Sequence, residues 1–243
     1  MFLDDYYNKV RALQEEVYAD EREGIRKAAE AVAATVAADG ILHVFGCGHS
    51  HMLTEEAFYR AGGLVQVNAI LDSAVMLHEG AVKSSAVERM SGYACHIIDR
   101  FDVREGDVML LFSTSGINSL PIEMAEAAKK KKMTVIVVSS STYDSVPSRH
   151  SSGKRLHNCG DIVINNHVPL GDAVLSPKEI HGSIVPSSTV INAMILNMII
   201  AQTAEELLKA GCEPKFFKSG NLPGGDEINN RYIQEYKNRI KLL

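Results

Sequence analysis

The chain has 243 residues, 46% of them hydrophobic and 23% charged, with a formal net charge of −5, which fits a soluble globular chain of one large domain or two small ones. An acidic balance with no basic face argues against nucleic acid, whose affinity for proteins rests mostly on phosphate neutralisation. The longest apolar segment, Val190 to Ala201, is broken by Asn192 and Asn197 and is too short to cross a bilayer.

The first residues, Met1-Phe2-Leu3-Asp4-Asp5, are acidic where a signal peptide would be basic. The cysteines, at 47, 95, 159 and 212, show no paired spacing and read as reduced thiols of a cytoplasmic protein. Residues 3–20 read as a helix, with Leu3, Tyr6, Val10, Leu13 and Val17 at helical spacing, and 23–38 as a second, Ala-rich helix that stops at Asp39-Gly40. Ile41 to Phe45 is a short apolar strand, 50–61 a helix ending at Gly62-Gly63, and Leu64 to Val67 a second strand. A helix over 85–98 precedes the strand Val108 to Phe112; a helix over 119–131 precedes the strand Met133 to Val138; Asp161 to Ile164 is the fifth strand. Lys129 to Lys132 falls at a helix C-terminus, where cations favour the dipole. The stretch 144–158, with Pro147 and Gly153, reads as a loop, and helices over 187–210 and 226–240 follow the last strand. Continuous apolar strands alternating with helices predict an α/β fold: a five-stranded parallel sheet flanked by helices, with added N- and C-terminal helices, in one domain over 1–243. The added helices are amphipathic and could build a dimer interface.

Two strand-to-helix junctions carry the chemistry. In "FSTSGINS", 112–119, an apolar strand stops at Ser113-Thr114-Ser115-Gly116 and a helix follows. A helix N-terminus offers free backbone N–H groups, hydroxyls add donors, and glycine admits an anion close to the backbone. One capping residue, Asn118 or Ser119, would explain the helix start but not the other three hydroxyls. The first strand ends the same way, in Gly46-Cys47-Gly48-His49-Ser50-His51. A dinucleotide fingerprint would need a third glycine at His51, and a nucleophile elbow would need glycine at Met52. A second sugar- or phosphate-binding turn fits without missing residues.

The pair of motifs, Gly-Cys-Gly-x-Ser and then Ser-x-Ser-Gly, resembles the sugar isomerase (SIS) domain. That domain is shared by phosphoheptose isomerase, the isomerase half of glucosamine-6-phosphate synthase and N-acetylmuramic acid 6-phosphate etherase. "CGHSHM", "EGA", "GDA", "SSTVINA" and "NLPGGDEINN" are similar to pieces of a bacterial group of SIS proteins labelled phosphosugar isomerases. The resemblance covers about residues 25–210. It implies a flavodoxin-like sheet, a phosphorylated sugar bound at the strand ends, and a homodimer or homotetramer with sites near the subunit interface. Carried over, Ser50, Ser113 and Ser115 would supply phosphate-binding hydroxyls and Thr114 and Gly116 backbone donors, with Gly48 and His49 in the first turn. Asn118 stands where many members have Ser or Thr, with Ser119 one further on. Glu56 and Arg60 stand where phosphoheptose isomerase has His and Glu, which puts that activity in doubt for this chain.

Aldose–ketose isomerisation through an enediol needs a base beside the carbon α to a carbonyl. Candidates are Glu55 and Glu56, Glu79 in Leu77-His78-Glu79-Gly80, and Glu179 with His181 between Pro177 and Pro186; Glu56, Glu79 and His181 are carried forward. Glu56 and Arg60 also form an ordinary i,i+4 helix pair. Ser187-Ser188-Thr189 opens the long helix after Pro186, and the resemblance makes Ser188 and Thr189 sugar contacts. "SGNLPGG", 219–225, would reach a neighbouring subunit. The nine histidines include no H-x-x-x-H, and His49 and His51 lack zinc spacing, so neither a metal nor a cofactor is expected. Three activities fit: a phosphosugar isomerase, an etherase-like lyase on an amino-sugar phosphate, and a non-catalytic phosphosugar sensor. The acidic and Ala-rich N-terminal helices lack a basic recognition helix, which counts against a DNA-binding regulator.

Overall fold

Five short apolar runs form the sheet: β1 (Leu42–Gly46), β2 (Val67–Ala69), β3 (Val108–Phe112), β4 (Thr134–Ser139) and β5 (Ile162–Asn165). The computed structural model describes residues 1–243. All neighbours pair in parallel, in the order β2-β1-β3-β4-β5, with Leu42 opposite Val108 and Gly46 opposite Phe112. Alternate side chains enter two cores. Leu42, Val44, Val108, Leu110, Phe112, Ile136 and Val138 face a layer that includes α1 (Phe2–Ala37) and α6 (Ser188–Lys209). Phe45, Met109, Leu111, Val135 and Val137 face α4 (Ala94–Ile98) and α5 (Ser119–Lys130).

Several elements differ from expectation. The two N-terminal helices are one, α1, of 36 residues. Nothing between Asp20 and Glu23 stops a helix, and a single internal glycine costs only about 1 kcal/mol. Gly24 lies against β5, where an added Cβ would stand 3.6 Å from Ile164 Cγ1. The helix after the first turn, α2 (His51–Ala57), ends a turn early. There Phe58 becomes extended and packs on the small cluster of Ile41, Val65, Phe217, Tyr236 and Ile240. The second strand is displaced to 67–69, and Leu64 instead bridges Phe216. Every residue from Leu64 to Ile70 is buried, so the hydrophobic pattern could not fix the strand bounds. The helix expected over 85–98 is two, α3 (Ala81–Glu88) and α4, separated by a turn in which Gly92 has φ 83°.

An antiparallel hairpin, β6 (Ala173–Leu175) and β7 (Ile184–Pro186), was not foreseen; its strands are too short to show a period. The last helix, α7 (Gly225–Tyr236), is preceded directly by the 219–224 turn, and Ile240 beyond it is buried. Lys129, Lys131 and Lys132 pair with Asp161, Asp99 and Glu105 at 2.8 Å each, so the lysine run is a surface of ion pairs. No helix is long and apolar enough to cross a membrane.

Candidate functional site

The strand order reverses beside β1: the chain goes from β1 outward to β2, then returns to β3 on the other side. Ligands in open parallel sheets bind outside the carboxyl ends of the strands at such a switch point. Both serine–glycine turns stand there, one at the end of β1 and the other at the end of β3.

The first turn folds tightly onto its strand. Residues Gly48–Ser50 form a single 3-10 turn leading into α2. A Cβ on Gly46 would lie 2.4 Å from the Ser50 carbonyl oxygen, so only glycine fits there. His49 is exposed, and Gly48 and Ser50 are half-buried. The Ser50 hydroxyl has no partner within the protein. His51 is buried beside Glu55, 3.2 Å from its Nδ1, and its Nε2 is unpartnered. Burial lowers the His51 pKa and outweighs the pull of Glu55, which favours the neutral imidazole.

In the second turn the hydroxyls divide their work. Ser113 Oγ accepts from the Gly116 N–H at 3.3 Å. Thr114 Oγ1 accepts from the amides of Asn166 and Asn192 at 3.3 and 3.5 Å. Asn192 thus finds its partners inside the chain. Ser115 is half-buried and its hydroxyl is unengaged. Gly116 has φ 59°, a left-handed conformation that glycine adopts without strain. Its carbonyl accepts from the Leu156 N–H at 2.8 Å, and the Ile117 carbonyl accepts from the Arg149 N–H at 2.8 Å. The 144–158 loop is therefore laid over this turn.

Asn118 is the N-cap of α5 by position, yet its side chain does not cap the helix. Its Nδ2 donates to Glu88 Oε1 at 2.7 Å, and its Oδ1 accepts from Arg149 Nη1 at 2.8 Å. The first backbone N–H groups of α5 are left without a side-chain acceptor. Ser119 is buried at the first helical position.

Glu88 is the carboxylate that the sequence does not single out. It ends α3, which packs against both the first turn and α5. Burial raises its pKa, outweighing the Asn118 hydrogen bond and the charges of Arg89 and Arg149. The thiol of Cys47, in the first turn, is also pushed well up, by burial and then by the charges of Glu88 and Asp72. The one available signal was the turn after Glu88, marked by Gly92.

Glu56 forms an ion pair with Arg60, and Glu79 pairs with Lys83 at 3.3 Å. His181 is exposed at the hairpin tip. None of the three hydrogen-bonds to either turn. At the start of α6, Asp172 takes the position of an anion: Oδ1 accepts from the Ser187 and Ser188 N–H groups at 3.0 and 2.7 Å, and Oδ2 from the Ser188 hydroxyl at 2.5 Å. Ser188 is thereby engaged, while Thr189 beside it is half-buried with no hydrogen bond from its hydroxyl. Side chains able to hold a cation together are Glu16, Asp20 and His167, on α1 and the loop after β5, where His167 Nδ1 lies 3.0 Å from Glu16.

Comparison with known proteins agrees with this architecture. The SIS domain profile matches residues 5–140. The chain belongs to the SIS domain family. A UPF0309 protein of Geobacillus thermodenitrificans is 46% identical over 99% of this chain and 97% of its own length. A UPF0309 protein of Listeria innocua is 44% identical over 99% and 98%. Among solved structures, a phosphoheptose isomerase from Francisella tularensis superposes with a TM-score of 0.53 at 17% identity, covering 84% of this chain and 96% of that one. One from Neisseria gonorrhoeae gives 0.52 at 18%, with the same coverage. At these identities the likeness is one of fold: this SIS protein shares the five-stranded sheet and its flanking helices.

Proposed function

We propose that this SIS protein binds a phosphorylated sugar at the β1/β3 switch point and interconverts aldose and ketose phosphates through an enediol. The observation that carries the reading is the uncapped start of α5, which follows the unengaged Ser115 hydroxyl by four residues after the central strand. An uncapped helix start with hydroxyl donors favours a phosphate monoester without needing lysine. Ser50, across the switch point, supplies a further hydroxyl. The phosphate assignment rests on Ser50, Ser113 and Ser115, with a backbone donor from Thr114; the Gly116 N–H is turned to Ser113 Oγ, so Gly116 contributes its left-handed turn rather than a donor. The solved phosphoheptose isomerases of the same fold support a sugar phosphate over other monoesters.

Self-association belongs to the same reading. Phe2, Leu3 and Tyr7 are exposed on α1, as is Val190 on α6. Tyr6, between them, donates to the Pro186 carbonyl at 3.1 Å, which brings the two helix starts together. A homodimer or homotetramer would cover this surface.

The test is thermal unfolding with a panel of sugar phosphates and their unphosphorylated parents. A ligand at 100 times its Kd stabilises the folded state by about 2.7 kcal/mol. In a chain of this size that is a rise of roughly 5–10 °C. Stabilisation by phosphorylated sugars alone is the expected result. Equal stabilisation by free sugars, or none by either, overturns the reading.

A further inference from the structure

We propose that Glu88 is the acid–base residue of this site, held in register by Asn118, which Arg149 fixes from the other side. The inference rests on the phosphosugar reading and goes beyond it, because nothing in the family match assigns a role to Glu88.

The placement comes first. Glu88 ends a helix that packs on the first turn; its carboxylate accepts from Asn118 at the start of α5, and its charge reaches the Cys47 thiol in the first turn. The Asn118 amide is read in both directions. Its oxygen faces a guanidinium and its nitrogen faces a carboxylate, so it cannot be turned over without setting oxygen against carboxylate and NH2 against guanidinium. One carboxylate oxygen, Oε1, is therefore held at 2.7 Å, while Oε2 carries no hydrogen bond. A base needs this asymmetry: one oxygen anchored, the other free to face a substrate C–H. The half-buried setting raises the Glu88 pKa toward the range useful to a general base.

Asn118 also fits the role better than it fits capping. A Ser or Thr at this point would cap α5 or contact the ligand. An asparagine reaches across to α3, and it leaves the helix start free for an anion.

The step balances without a co-reactant. Glu88 Oε2 takes the proton from the carbon α to the carbonyl. The C–H electron pair forms the C=C bond of the enediol as the carbonyl π pair moves to oxygen, which gains a proton from water. The Glu88 carboxyl proton exchanges with water, and Glu88 then delivers a proton to the neighbouring carbon, the old carbonyl carbon. The enediol hydroxyl on the other carbon gives its proton to water as the new carbonyl forms. The same first abstraction would open an elimination, so proton exchange at the α carbon reports on Glu88 in either reaction.

The experiment is NMR in deuterated water with the sugar phosphates that stabilise the wild-type protein. It follows loss of the α-carbon proton signal, alongside binding measured by thermal shift. Wild type is expected to exchange the proton. Glu88→Gln should bind with Kd within about threefold and lose exchange by at least about 100-fold, in line with the usual contribution of a general base. Asn118→Ala should keep measurable exchange but move the acidic limb of its pH profile upward, because a hydrogen bond that favours the carboxylate is gone. A merely structural role for Asn118 would lower the rate without moving that limb. If Glu88→Gln exchanges at a rate near wild type, or if wild type binds but exchanges no proton, the acid–base assignment is overturned and phosphosugar binding stands. If wild type binds no sugar phosphate, the parent reading falls and the assignment falls with it.

Discussion

Arg239 Nη2 donates to Asp107 Oδ2 at 2.8 Å, fastening the C-terminal tail to the foot of β3 across 132 positions of chain. Asp107 is buried, and its carboxylate also accepts from the Ile41 N–H at 2.9 Å, the Arg104 N–H at 2.8 Å and His43 Nε2 at 3.1 Å. His43 Nδ1 in turn faces the Asn68 amide at 2.9 Å. The network assigns the proton of His43 to Nε2, with Nδ1 accepting from Asn68. Three neighbouring strands are thus tied at the end opposite the turns.

Arg239→Ala removes one charged partner and leaves the others in place. Loss of a hydrogen bond to a charged group predicts a cost of about 1.5–3 kcal/mol. Asp107→Asn should cost more, about 3–5 kcal/mol, because it sets an NH2 against donors and removes the buried charge facing Arg239, which keeps only the longer ion pair with Asp102 at 3.7 Å. Urea unfolding at neutral pH measures both. Equal stability of Arg239→Ala and wild type would show that the tail does not depend on this contact.

Acid should weaken the same network. Burial raises the Asp107 pKa, but the hydrogen bonds from His43, Ile41 and Arg104 outweigh it and leave the carboxyl below its ordinary value. A group with a depressed folded pKa stabilises above its unfolded value and loses that contribution as pH falls through the folded one. Wild type should therefore lose stability below about pH 4, the usual aspartate range. Asp107→Asn should lack that component, so the gap between the two proteins narrows on acidification. A gap that stays constant from pH 7 to 3 would count against the assignment.

Glu88 predicts the opposite sign. Its pKa is raised, chiefly by burial. Its contribution to stability is therefore present at low pH and lost as pH rises from the ordinary glutamate range through the folded value. At neutral pH wild type carries the cost of a half-buried carboxylate, and Glu88→Gln does not. The glutamine oxygen can still accept from Asn118. The expected result is a gain at pH 7 of about 0.5–2 kcal/mol, as for other site residues held at some cost to stability. The gain should vanish below about pH 4, where glutamate is protonated in both states. Thermal unfolding across that pH range checks it.

Ser115→Ala should separate binding from folding. The hydroxyl is half-buried and unengaged, so its loss should leave Tm unchanged within about 2 °C, a shift of at most roughly 0.5 kcal/mol. A hydrogen bond to a phosphate dianion is worth about 1.5–3 kcal/mol, or roughly 10- to 100-fold in Kd. Unchanged affinity for the sugar phosphate would remove Ser115 from the cradle.

How much of this was legible depended on where the determining contacts lie. β3 and α5 were readable because a continuous apolar run stops at three hydroxyls and a glycine, a purely local signal. β4 was readable for the same reason, as an unbroken β-branched run. The first turn was readable as Gly-Cys-Gly-x-Ser. Glu88 was not, because its setting is made by Asn118 and Arg149, 30 and 61 positions away, and by a helix break that the pattern over 85–98 conceals. Asn118 reads from the sequence as a binding residue or a cap, and its reach toward α3 has no sequence period. The Asp172 clamp was hidden for a like reason: it joins two ends of a hairpin whose strands have only three residues each.

That clamp yields the last prediction. Asp172 has φ 63° and bonds Ser187 and Ser188, so one carboxylate both caps the 22-residue helix α6 and closes the base of the β6–β7 hairpin. Asp172→Ala should cost about 1–2 kcal/mol as a lost cap, with added strain from alanine at positive φ. The hairpin, exposed at its tip, should open locally before the protein unfolds. Limited proteolysis should then cut between 173 and 186 faster in Asp172→Ala than in wild type. Asp172→Asn should fall between the two, since the amide oxygen can still accept from the backbone N–H groups while the NH2 faces the Ser188 hydroxyl. If both variants resist protease as wild type does, the hairpin is held by its strand pairing and its packing on α1, and the carboxylate serves the helix alone.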